Sequence, residues 1–433
     1  MHPLLSVRRY VEPPVPIFSI DPSTAGRFSG LDGIGFDAMS SVNMPTSQSG
    51  RGNTGVGAPT IVGPSTEAPQ SGVIPFRRAT TERIEPLQVI TGTLSTALQR
   101  NEQSVDGSGF LAGVDLDFNA TSAGNAAAVA FNEDGPYNAL NSVVLHDVSG
   151  EVLNLPGYSL YLANLYGGWT PGHLLSASSD TNVYNLVTGA VGAGGSFRFH
   201  LWVPTVWNRR TLMGLLGNQD RAQRYALRTD IDTLATIYST LPTAAPTFTL
   251  TKHYWNFAVP AAQNQFGVQQ QQLPNSFGVL PFITQTVSES APVGGSTVNH
   301  YIKRLGNTVR LIILVFRSGA GATPRATAEG TMPTKIQLKL GDVVIFNETT
   351  AMRRRIMYER FGFDAPAGVL VYDWTTDILN RAGSELGDDW QWTQAIVQAQ
   401  FAITYPAGWA AGSSLTFITL DMLVPAGVDP YSA

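Results

Sequence analysis

Cysteine is absent from the 433-residue chain, which excludes disulfide bonds and thiolate metal sites. Charged residues are also scarce, at 14%, and the net charge is −5, so a sequence-specific nucleic-acid partner is not expected. Uninterrupted apolar runs are no longer than a strand, the clearest being Leu311 to Phe316, so no segment is expected to span a membrane. The first residues also lack the apolar stretch of a secretory signal peptide.

Sequence signatures of catalysis and metal binding are missing as well. Neither the H-x-H pair of a cupin-type metal site nor an H-E-x-x-H helix occurs among the six histidines. His200 and His253 stand beside aromatic residues, which is typical of half-buried structural histidines. The acidic stretches 132–135 and 385–389 offer fewer oxygens than the about six that Ca²⁺ requires, so solvated turns are predicted. We predict no metal, no cofactor and no enzymatic activity.

Glycine and proline are abundant instead, at 43 and 27 residues, and 43% of the residues are apolar. This composition is typical of a packed all-β protein with many turns. Residues 1–80 differ from the rest, because ten prolines, ten glycines and sixteen serines or threonines interrupt any apolar period. We expect this irregular N-terminal arm to be disordered or to order only against a partner surface.

One stretch of the chain occurs twice. Residues 197–209 read F-R-F-H-L-W-V-P-T-V-W-N-R and residues 369–381 read V-L-V-Y-D-W-T-T-D-I-L-N-R, which matches Trp202 to Trp374 at an offset of 172. The match extends in order along the chain with a slowly drifting offset, as duplicated domains with unequal loops require. The further matches are 87–94 on 280–287 (offset 193), 114–118 on 312–316 (198), 143–148 on 338–343 (195), Tyr166-Gly167 on Phe361-Gly362 (195), 227–231 on 397–401 (170) and 255–260 on 420–425 (165). The chain is therefore predicted to be an internal duplication.

Each copy is predicted to be an antiparallel β-sandwich of about seven or eight strands with Greek-key connections. The predicted strands are 87–95, 110–120, 142–148, 196–203, 225–235 and 247–259, then 280–288, 297–304, 308–317, 335–346, 367–374, 393–404 and 414–424. Short helices are predicted in connecting loops at 157–166, 210–222 and 349–361. The predicted domains are the arm at 1–80, a first sandwich at 81–262, a linker at 263–279 and a second sandwich with a short tail at 280–433.

Arginines mark the candidate contact residues. Arg353, Arg354 and Arg355 lie on the predicted helix 349–361, with Met352, Ile356 and Met357 on its other side. A basic amphipathic helix of this kind can rest on lipid headgroups, pair with a neighbouring subunit, or simply face solvent. In the arm, Arg8 and Arg9 are candidate assembly or membrane-facing contacts.

Taken together, these features resemble the double jelly-roll major capsid proteins of tailless icosahedral viruses, a lineage that includes tectivirus-like phages with an internal membrane. The duplicated sandwiches, the strand pair followed by a short helix in each copy and the irregular arm bear the resemblance. The stretches F-N-E-D-G-P-Y-N-A-L-N-S-V-V-L-H-D-V-S-G-E at 131–151 and G-Y-S-L-Y-L-A-N-L-Y-G-G at 157–168 look like a segment of such coat proteins. The resemblance implies an all-β fold of two tandem jelly rolls, a double jelly roll.

For function, the resemblance implies a coat protein without an active site that assembles with itself as pseudo-hexagonal homotrimers. Penton or minor capsid proteins and an internal lipid membrane would be its other partners. The chain would be made in the host cytoplasm and reside in the virion shell. Two alternatives stay open at this stage. One is a surface spike or carbohydrate-binding sandwich protein with Trp169, Trp390, Trp392 and Trp409 as stacking platforms, and the other is a sandwich-fold glycosidase or amidase with two carboxylates in one cleft.

Overall fold

The structure is a computed structural model, and it describes most of the chain after residue 71. The described residues are 72–107, 109–123, 125–170, 185–187, 192–208, 211–220, 224–288, 294–303, 306–318, 331–374, 391–392, 398–409 and 413–423. Most of the predicted arm, including Arg8 and Arg9, lies outside these ranges.

The first half of the described chain forms two main sheets. Its strands are β1 (Glu82–Thr93), β2 (Gln99–Ser104), β3 (Gly109–Thr121), β4 (Ala130–Phe131), β5 (Leu140–His146), β6 (Glu151–Leu155), β7 (Asn185–Leu186), β8 (Phe197–Pro204), β9 (Leu216–Asn218), β10 (Ala226–Ile231), β11 (Tyr238–Thr240) and β12 (Thr247–Phe257). One sheet has the order β1-β12-β3-β8-β7, with β9 on β3, and the other has the order β2-β10-β5-β6, while β11 and β4 form a separate pair. The helices are α1 (Phe76–Ala79), a 3-10 turn (Tyr137–Ala139), α2 (Gly157–Tyr166) and α3 (Leu234–Ile237).

The second half has the same arrangement with fewer additional short strands and helices. Its elements are β13 (Leu280–Ser288), β14 (Thr297–Tyr301), β15 (Thr308–Arg317), β16 (Lys335–Leu340), β17 (Val343–Glu348), α4 (Thr350–Phe361), β18 (Val369–Asp373), β19 (Gln391–Trp392), β20 (Ala399–Thr404) and β21 (Ser414–Leu423). The sheets have the orders β13-β21-β15-β18, with β19 on β15, and β14-β20-β16-β17. If the eight main strands of each half are counted in order, both halves have sheets 1-8-3-6 and 2-7-4-5, the winding of a jelly roll. The predicted fold, a double jelly roll, is confirmed.

A shared irregularity in the sheets supports the duplication. In β3, Ala112 is an extra residue between the pairs that Gly113 and Leu111 make with β12. In β15, Arg310 is the extra residue between the pairs that Val309 and Leu311 make with β21. The two bulges are 198 residues apart, which is the offset of the matched strands 114–118 and 312–316. A bulge bends its strand and is a deliberate feature of a fold, so the same bulge in both copies confirms this match.

The repeated stretch around the tryptophans is displaced from its predicted match. Asp115 lies opposite Trp202, whereas the equivalent residue of the second copy, Ile313, lies opposite Val371. Trp202 therefore corresponds in the fold to Val371, and the match to Trp374 is wrong by three residues. The match of 87–94 to 280–287 is wrong as well, because Ile84 and Ile283 pair with the matched residues Trp255 and Leu420, which relates β1 to β13 by an offset of 199. Loop lengths differ on both sides of these strands, so sequence similarity alone could not fix the register.

Three local predictions also change. The predicted strand 335–346 is the hairpin β16–β17, which turns at Gly341 with a φ of 60°. The predicted helix 210–222 is wrong, because its described part contains β9. Strand β2 was missed because its sequence, Q-R-N-E-Q-S, is polar throughout and shows no alternation. The helices predicted at 157–166 and 349–361 are confirmed as α2 and α4.

The core of the first jelly roll is built around Phe118. Its ring stacks on Phe197, Phe199 and Phe248, with ring centroids 5.5, 5.3 and 5.5 Å away. These three partners come from strands on both sides of β3, so one side chain joins β3, β8 and β12. Each ring is fully buried or nearly so.

Replacing Phe118 with alanine should therefore remove aromatic contacts to two neighbouring strands at once. We expect Phe118→Ala to lower the free energy of unfolding by about 3–5 kcal/mol, measured by urea denaturation. Phe266→Ala is the control, because Phe266 is 79% exposed and its loss should change stability by no more than about 0.5 kcal/mol. Equal effects of the two variants would contradict the central place of Phe118.

Candidate assembly surfaces

The two jelly rolls of one chain are joined through α2. This helix follows Pro156 and reads G-Y-S-L-Y-L-A-N-L-Y, without a charged residue, and all ten residues are buried. A helix that is apolar on all sides must be covered on all sides. Its inner side packs on β5 and β8, and its outer side meets β21 of the second jelly roll. We call β6 and α2 together the α2 flank, since β6 packs against β13 of the second jelly roll beside it.

The surface that covers the α2 flank is the outward side of the sheet β13-β21-β15-β18, which we call the second sheet face. Every residue of β15 up to Phe316 and every residue of β18 is buried, as expected for a sheet that is covered on both sides. Ser159 of α2 donates a hydrogen bond of 2.5 Å from its hydroxyl to the side-chain oxygen of Gln285 on β13. Tyr166 meets Phe361 edge to face, with ring centroids 4.9 Å apart.

Arg310 is the charged residue at the centre of this contact. It is the bulge residue of β15 and is fully buried. Its Nη2 donates a hydrogen bond of 3.0 Å to the carbonyl oxygen of Gly167, just after α2. Its guanidinium carbon lies 5.4 Å from the ring centre of Trp169 and 6.0 Å from that of Trp207. Sequence analysis missed this residue, although an arginine inside an apolar strand pattern was a usable signal.

A second arginine of β15 binds the acidic stretch 132–135. Arg317 Nη2 lies 2.7 Å from Asp134 Oδ2, and its guanidinium carbon is 5.9 Å from the ring centre of Tyr158. Both side chains of the ion pair are largely buried. The prediction of a merely solvated turn is therefore wrong here, because Asp134 links the two jelly rolls. The other acidic stretch, 385–389, lies outside the described residues.

The equivalent helix of the second jelly roll, α4, has a different composition. Thr349 caps its start, with its hydroxyl accepting from the backbone N–H of Met352 at 3.3 Å, and Gly362 ends it with a φ of 74°. Only Thr350, Arg353 and Met357 are buried. Its outward residues Met352 and Tyr358 are exposed.

Of the predicted contact residues, Arg353 does not face outward. It is buried, and its Nε donates a hydrogen bond of 2.7 Å to Glu348 at the end of β17. Its guanidinium carbon lies 4.1 Å from the ring centre of Tyr372 and 5.1 Å from that of Phe346. The assignment of Arg353 to an assembly or membrane-facing surface is corrected: it holds α4 onto its own jelly roll. The helical pattern led to the wrong prediction for Arg353, because a buried charge requires a partner and the pattern does not reveal that partner.

Arg354 and Arg355 lie nearer to solvent. Arg354 is half-buried, and its charge opposes the rise that burial produces in the pKa of Tyr166. Arg355 is exposed and forms an ion pair of 2.9 Å with Glu359 one turn later. Met352 and Tyr358 are exposed beside it, so the outward side of α4 mixes apolar and charged residues.

Next to α4 lies an unusual edge strand. β17 is the last strand of the sheet β14-β20-β16-β17, and Val343, Val344 and Ile345 are all exposed. Because successive side chains point to opposite sides of a strand, β17 presents apolar residues on both sides. Proteins normally protect such an edge against unwanted pairing, so an exposed apolar edge indicates a binding surface. We call β17 and α4 together the α4 flank.

The outward side of the sheet β1-β12-β3-β8 in the first jelly roll, which we call the first sheet face, carries exposed and half-buried residues. Ile84 and Val89 of β1 are exposed. On β3 and β8, Arg198 binds Asp117 through two hydrogen bonds of 3.0 and 2.6 Å, and His200 pairs with Asp115. This face therefore combines polar residues on β3 and β8 with apolar residues on β1 and with the Trp202–Trp255 pair, whose ring centroids are 5.4 Å apart.

His300 and His200 interact with neighbouring side chains of the fold. His300 on β14 is buried, with its Nε2 2.9 Å from the hydroxyl of Tyr405, and burial lowers its pKa to about 4. Burial alone would lower the pKa of His200, but the hydrogen bond and charge of Asp115 outweigh it, so the pKa lies above its usual value. In the described part of the chain, no group of three or more His, Cys, Asp or Glu residues is placed to hold a metal ion. No helix within the described ranges is long and apolar enough to cross a membrane.

Two of the tryptophans that were candidate platforms for sugar stacking pack on other aromatic residues of the fold. Trp169 packs on Trp207 at 6.0 Å between centroids, under Arg310. Trp409 is buried against Tyr405, with ring centroids 4.9 Å apart. The predicted exposure is wrong for Trp409, and Trp169 is half-buried, while the side chains of Trp390 and Trp392 lie outside the described residues.

Solved structures share this architecture. The STIV major capsid protein superposes with a TM-score of 0.55 at 13% identity, covering 80% of this chain and 97% of that chain. VP54 of PBCV-1, fitted into a reconstruction of the virophage Sputnik, gives a TM-score of 0.57 at 10% identity, covering 81% and 95%. A structure of Sulfolobus Turreted Icosahedral Virus gives 0.54 at 13%, covering 79% and 91%. No family model and no curated protein matches the sequence. This chain thus has the double jelly-roll fold of those capsid proteins.

The buried pair on α4 gives a stability prediction. Glu348→Gln leaves Arg353 buried without its carboxylate, so we expect the free energy of unfolding to fall by about 3–5 kcal/mol. Glu359→Gln breaks only the exposed pair with Arg355 and should cost about 0.3–0.5 kcal/mol. Urea denaturation of both variants measures the difference. Similar losses in the two would contradict the structural role of Arg353.

His300 gives a pH prediction. Its pKa of about 4 lies below the value of about 6.5 of an exposed histidine, so between these pH values the unfolded chain binds more protons than the folded chain. Its contribution to stability is therefore complete above pH ~6.5 and is lost as the pH falls to about 4. We expect His300→Gln to flatten the fall in the free energy of unfolding across this window, measured by denaturation at a series of pH values.

The control for this prediction is His200→Gln, for which the sign is opposite. The raised pKa of His200 means that its contribution is present below pH ~6.5 and is lost as the pH rises through its folded-state pKa. His200→Gln should therefore change the slope on the alkaline side of the profile and leave the acid side as it is. An unchanged acid slope in His300→Gln would overturn the prediction.

Proposed function

We propose that this chain is a major capsid protein that self-assembles as pseudo-hexagonal trimers into an icosahedral viral shell. The observation that carries the proposal is the side-by-side packing of two jelly rolls in one chain, in which the second sheet face covers the α2 flank. The fold is shared with major capsid proteins over 95–97% of their chains. The role is structural, and it assigns no catalytic step to any residue.

The geometry of a shell explains why two similar units are joined. A trimer of such chains presents six jelly rolls, which suits a position surrounded by six neighbours. Two units with different loops let the chain make distinct contacts above, below and between such trimers. The apolar exposed edge β17 is then an assembly surface and not a hazard.

The other partners follow from the same role. We propose that the arm at 1–80, with Arg8 and Arg9, contacts neighbouring capsomers or an internal lipid membrane beneath the shell. Penton or minor capsid proteins would meet the trimers at the shell vertices. The loop at 168–195 of the first jelly roll is proposed as a tower or a clasp between subunits. The protein would reside in the virion after synthesis in the host cytoplasm.

The test is native mass spectrometry of the purified chain of 46.4 kDa, followed by negative-stain imaging of the same sample. We expect a stable species of three chains with hexagonal outlines, and sheets or shells at higher concentration. A chain that stays monomeric over the whole concentration range, with no ordered assemblies, would overturn the proposal. Deletion of residues 1–71, which leaves the helix α1 and its buried Phe76 in place, tests the arm: trimers should persist, while shell assembly should fail.

A further inference from the structure

We propose that Lys252 and Gln88 react with each other in the folded chain and form a covalent amide bond between the last and the first strand of the first jelly roll. The new bond joins Nζ of Lys252 to Cδ of Gln88, and one molecule of ammonia leaves. Both residues belong to the same chain, on β12 and β1, so the bond goes beyond the proposed function and does not depend on assembly.

Lys252 is a buried amine in a row of core side chains. It lies on β12 between Leu250 and Tyr254, which point to the same inner side of the sheet, and it is 0% exposed. A buried lysine normally pairs with a carboxylate. In the described part of the chain, Nζ instead donates a hydrogen bond of 3.1 Å to Oε1 of Gln88, a neutral amide. Burial lowers the pKa of Lys252 to about 8, so its neutral, nucleophilic form is far more populated near neutral pH than in an exposed lysine.

Strand pairing holds the amine and the amide together. Gln88 lies directly opposite Lys252 in the antiparallel pair of β1 and β12, and the pairing continues without a shift to the end of both strands. Such opposite residues have Cβ atoms about 4.5–5.5 Å apart. Because Lys252 has no exposed surface, the amide of Gln88 is presented to the amine continuously, and two groups held in contact react far faster than free ones.

A carboxyl group lies beside this pair. Glu85 is opposite Tyr254, and its Oε2 accepts a hydrogen bond from the Tyr254 hydroxyl. Because Tyr254 and Lys252 are two residues apart, Glu85 lies on the same side of the sheet as Lys252 and diagonally next to it, within reach of a long side chain. A carboxyl group in this position can carry a proton from one nitrogen to the other.

The proposed reaction balances in atoms and electrons. The lone pair of neutral Nζ forms the bond to Cδ of Gln88, and the electrons of the carbonyl double bond move to Oε1. Glu85 takes a proton from Nζ and gives it to Nε2, and the bond between Nε2 and Cδ breaks with its electron pair remaining on nitrogen. The carbonyl then re-forms, which leaves a secondary amide and ammonia, and nothing is oxidised or reduced. Gln88 is half-buried on the edge strand β1, so ammonia can escape to solvent.

The second jelly roll shows that the fold does not need these groups for packing. Its strand β21 carries Phe417 at the position of Lys252, since the two residues pair with the matched residues Leu314 and Leu116. Thr286 lies opposite Phe417, in the place of Gln88. A pair of threonines likewise replaces the carboxyl–tyrosine pair. The same sandwich thus forms with no buried amine, which indicates a role other than packing for Lys252.

The bond would secure an otherwise weak edge. β1 is the outermost strand of its sheet and is held by β12 alone. The two linked positions are 164 residues apart in the chain, so the bond also restricts the unfolded state as a long-range disulfide does. A chain without cysteine obtains a covalent staple in this way.

The first test is the intact mass of the full chain, measured after denaturation. We expect a mass lower than that of the sequence by one molecule of ammonia. Digestion should yield one branched peptide that joins positions 88 and 252, and trypsin should not cleave after Lys252. A chain of full sequence mass would overturn the proposal. A loss of one water molecule would overturn it too, because it would assign the amide to a carboxyl group.

The second test assigns the amine. Lys252→Met keeps the length of the side chain without the nucleophile, so the folded variant should have the full mass of its sequence. Lys335→Met removes an exposed lysine at the start of β16 and is the matched control, which should still show the loss of ammonia. Persistence of the loss in Lys252→Met would contradict the assignment.

The third test asks whether the fold itself drives the reaction. The wild-type chain recovered in urea from inclusion bodies should have its full mass and lose ammonia only after refolding. Glu85→Gln should slow this loss at least about a hundredfold, as removal of a general acid–base does. A loss that proceeds equally in urea would overturn the dependence on the folded pairing, and an unchanged rate in Glu85→Gln would overturn the role of Glu85.

The outcomes separate this bond from the proposed function. Normal trimers and shells built from chains of full mass would overturn the bond and leave the capsid proposal standing. A monomeric chain that loses ammonia on folding would support the bond and count against the shell.

Discussion

Burial of the second sheet face on the α2 flank is the contact on which the rest of the structure depends. It turns two sandwiches into one body, because β15 and β18 have apolar residues on both sides and each side requires cover. Removal of the first jelly roll would expose a sheet that is apolar on its outward side. The two halves are therefore not independent modules on a linker, because one cluster of buried apolar residues extends through both.

The equivalent helices of the two copies differ in composition because they differ in burial. The α2 flank is covered as the chain folds, so α2 can dispense with charge altogether. In α4 only three residues are buried, and the helix carries five charged residues beside exposed apolar ones such as Met352. Permanent interfaces resemble a protein core, whereas interfaces that form from soluble partners keep a polar rim around apolar anchors. The same helix position in one fold thus shows both compositions.

Sequence alone was sufficient for the architecture but not for the contacts. Alternation and repeated order predicted the sandwiches, α2 and α4, because these patterns reflect burial on one side of each element. They could not separate Arg353, which is buried against Glu348, from Arg355, which faces solvent, since both fit a basic helix. Nor could they align Trp202 correctly, because register is set by pairing across strands.

Arg310 explains why the apolar contact between the two jelly rolls forms in a single register. A sheet face of isoleucine, leucine and valine loses little apolar contact when it slides by two residues, because the same side of the strand is presented again. Such a slide would carry the buried guanidinium of Arg310 away from the carbonyl of Gly167 and the rings of Trp169 and Trp207. A buried charge that loses its partners costs several kcal/mol, so one register is selected. The register therefore fixes how the second sheet face sits on the α2 flank.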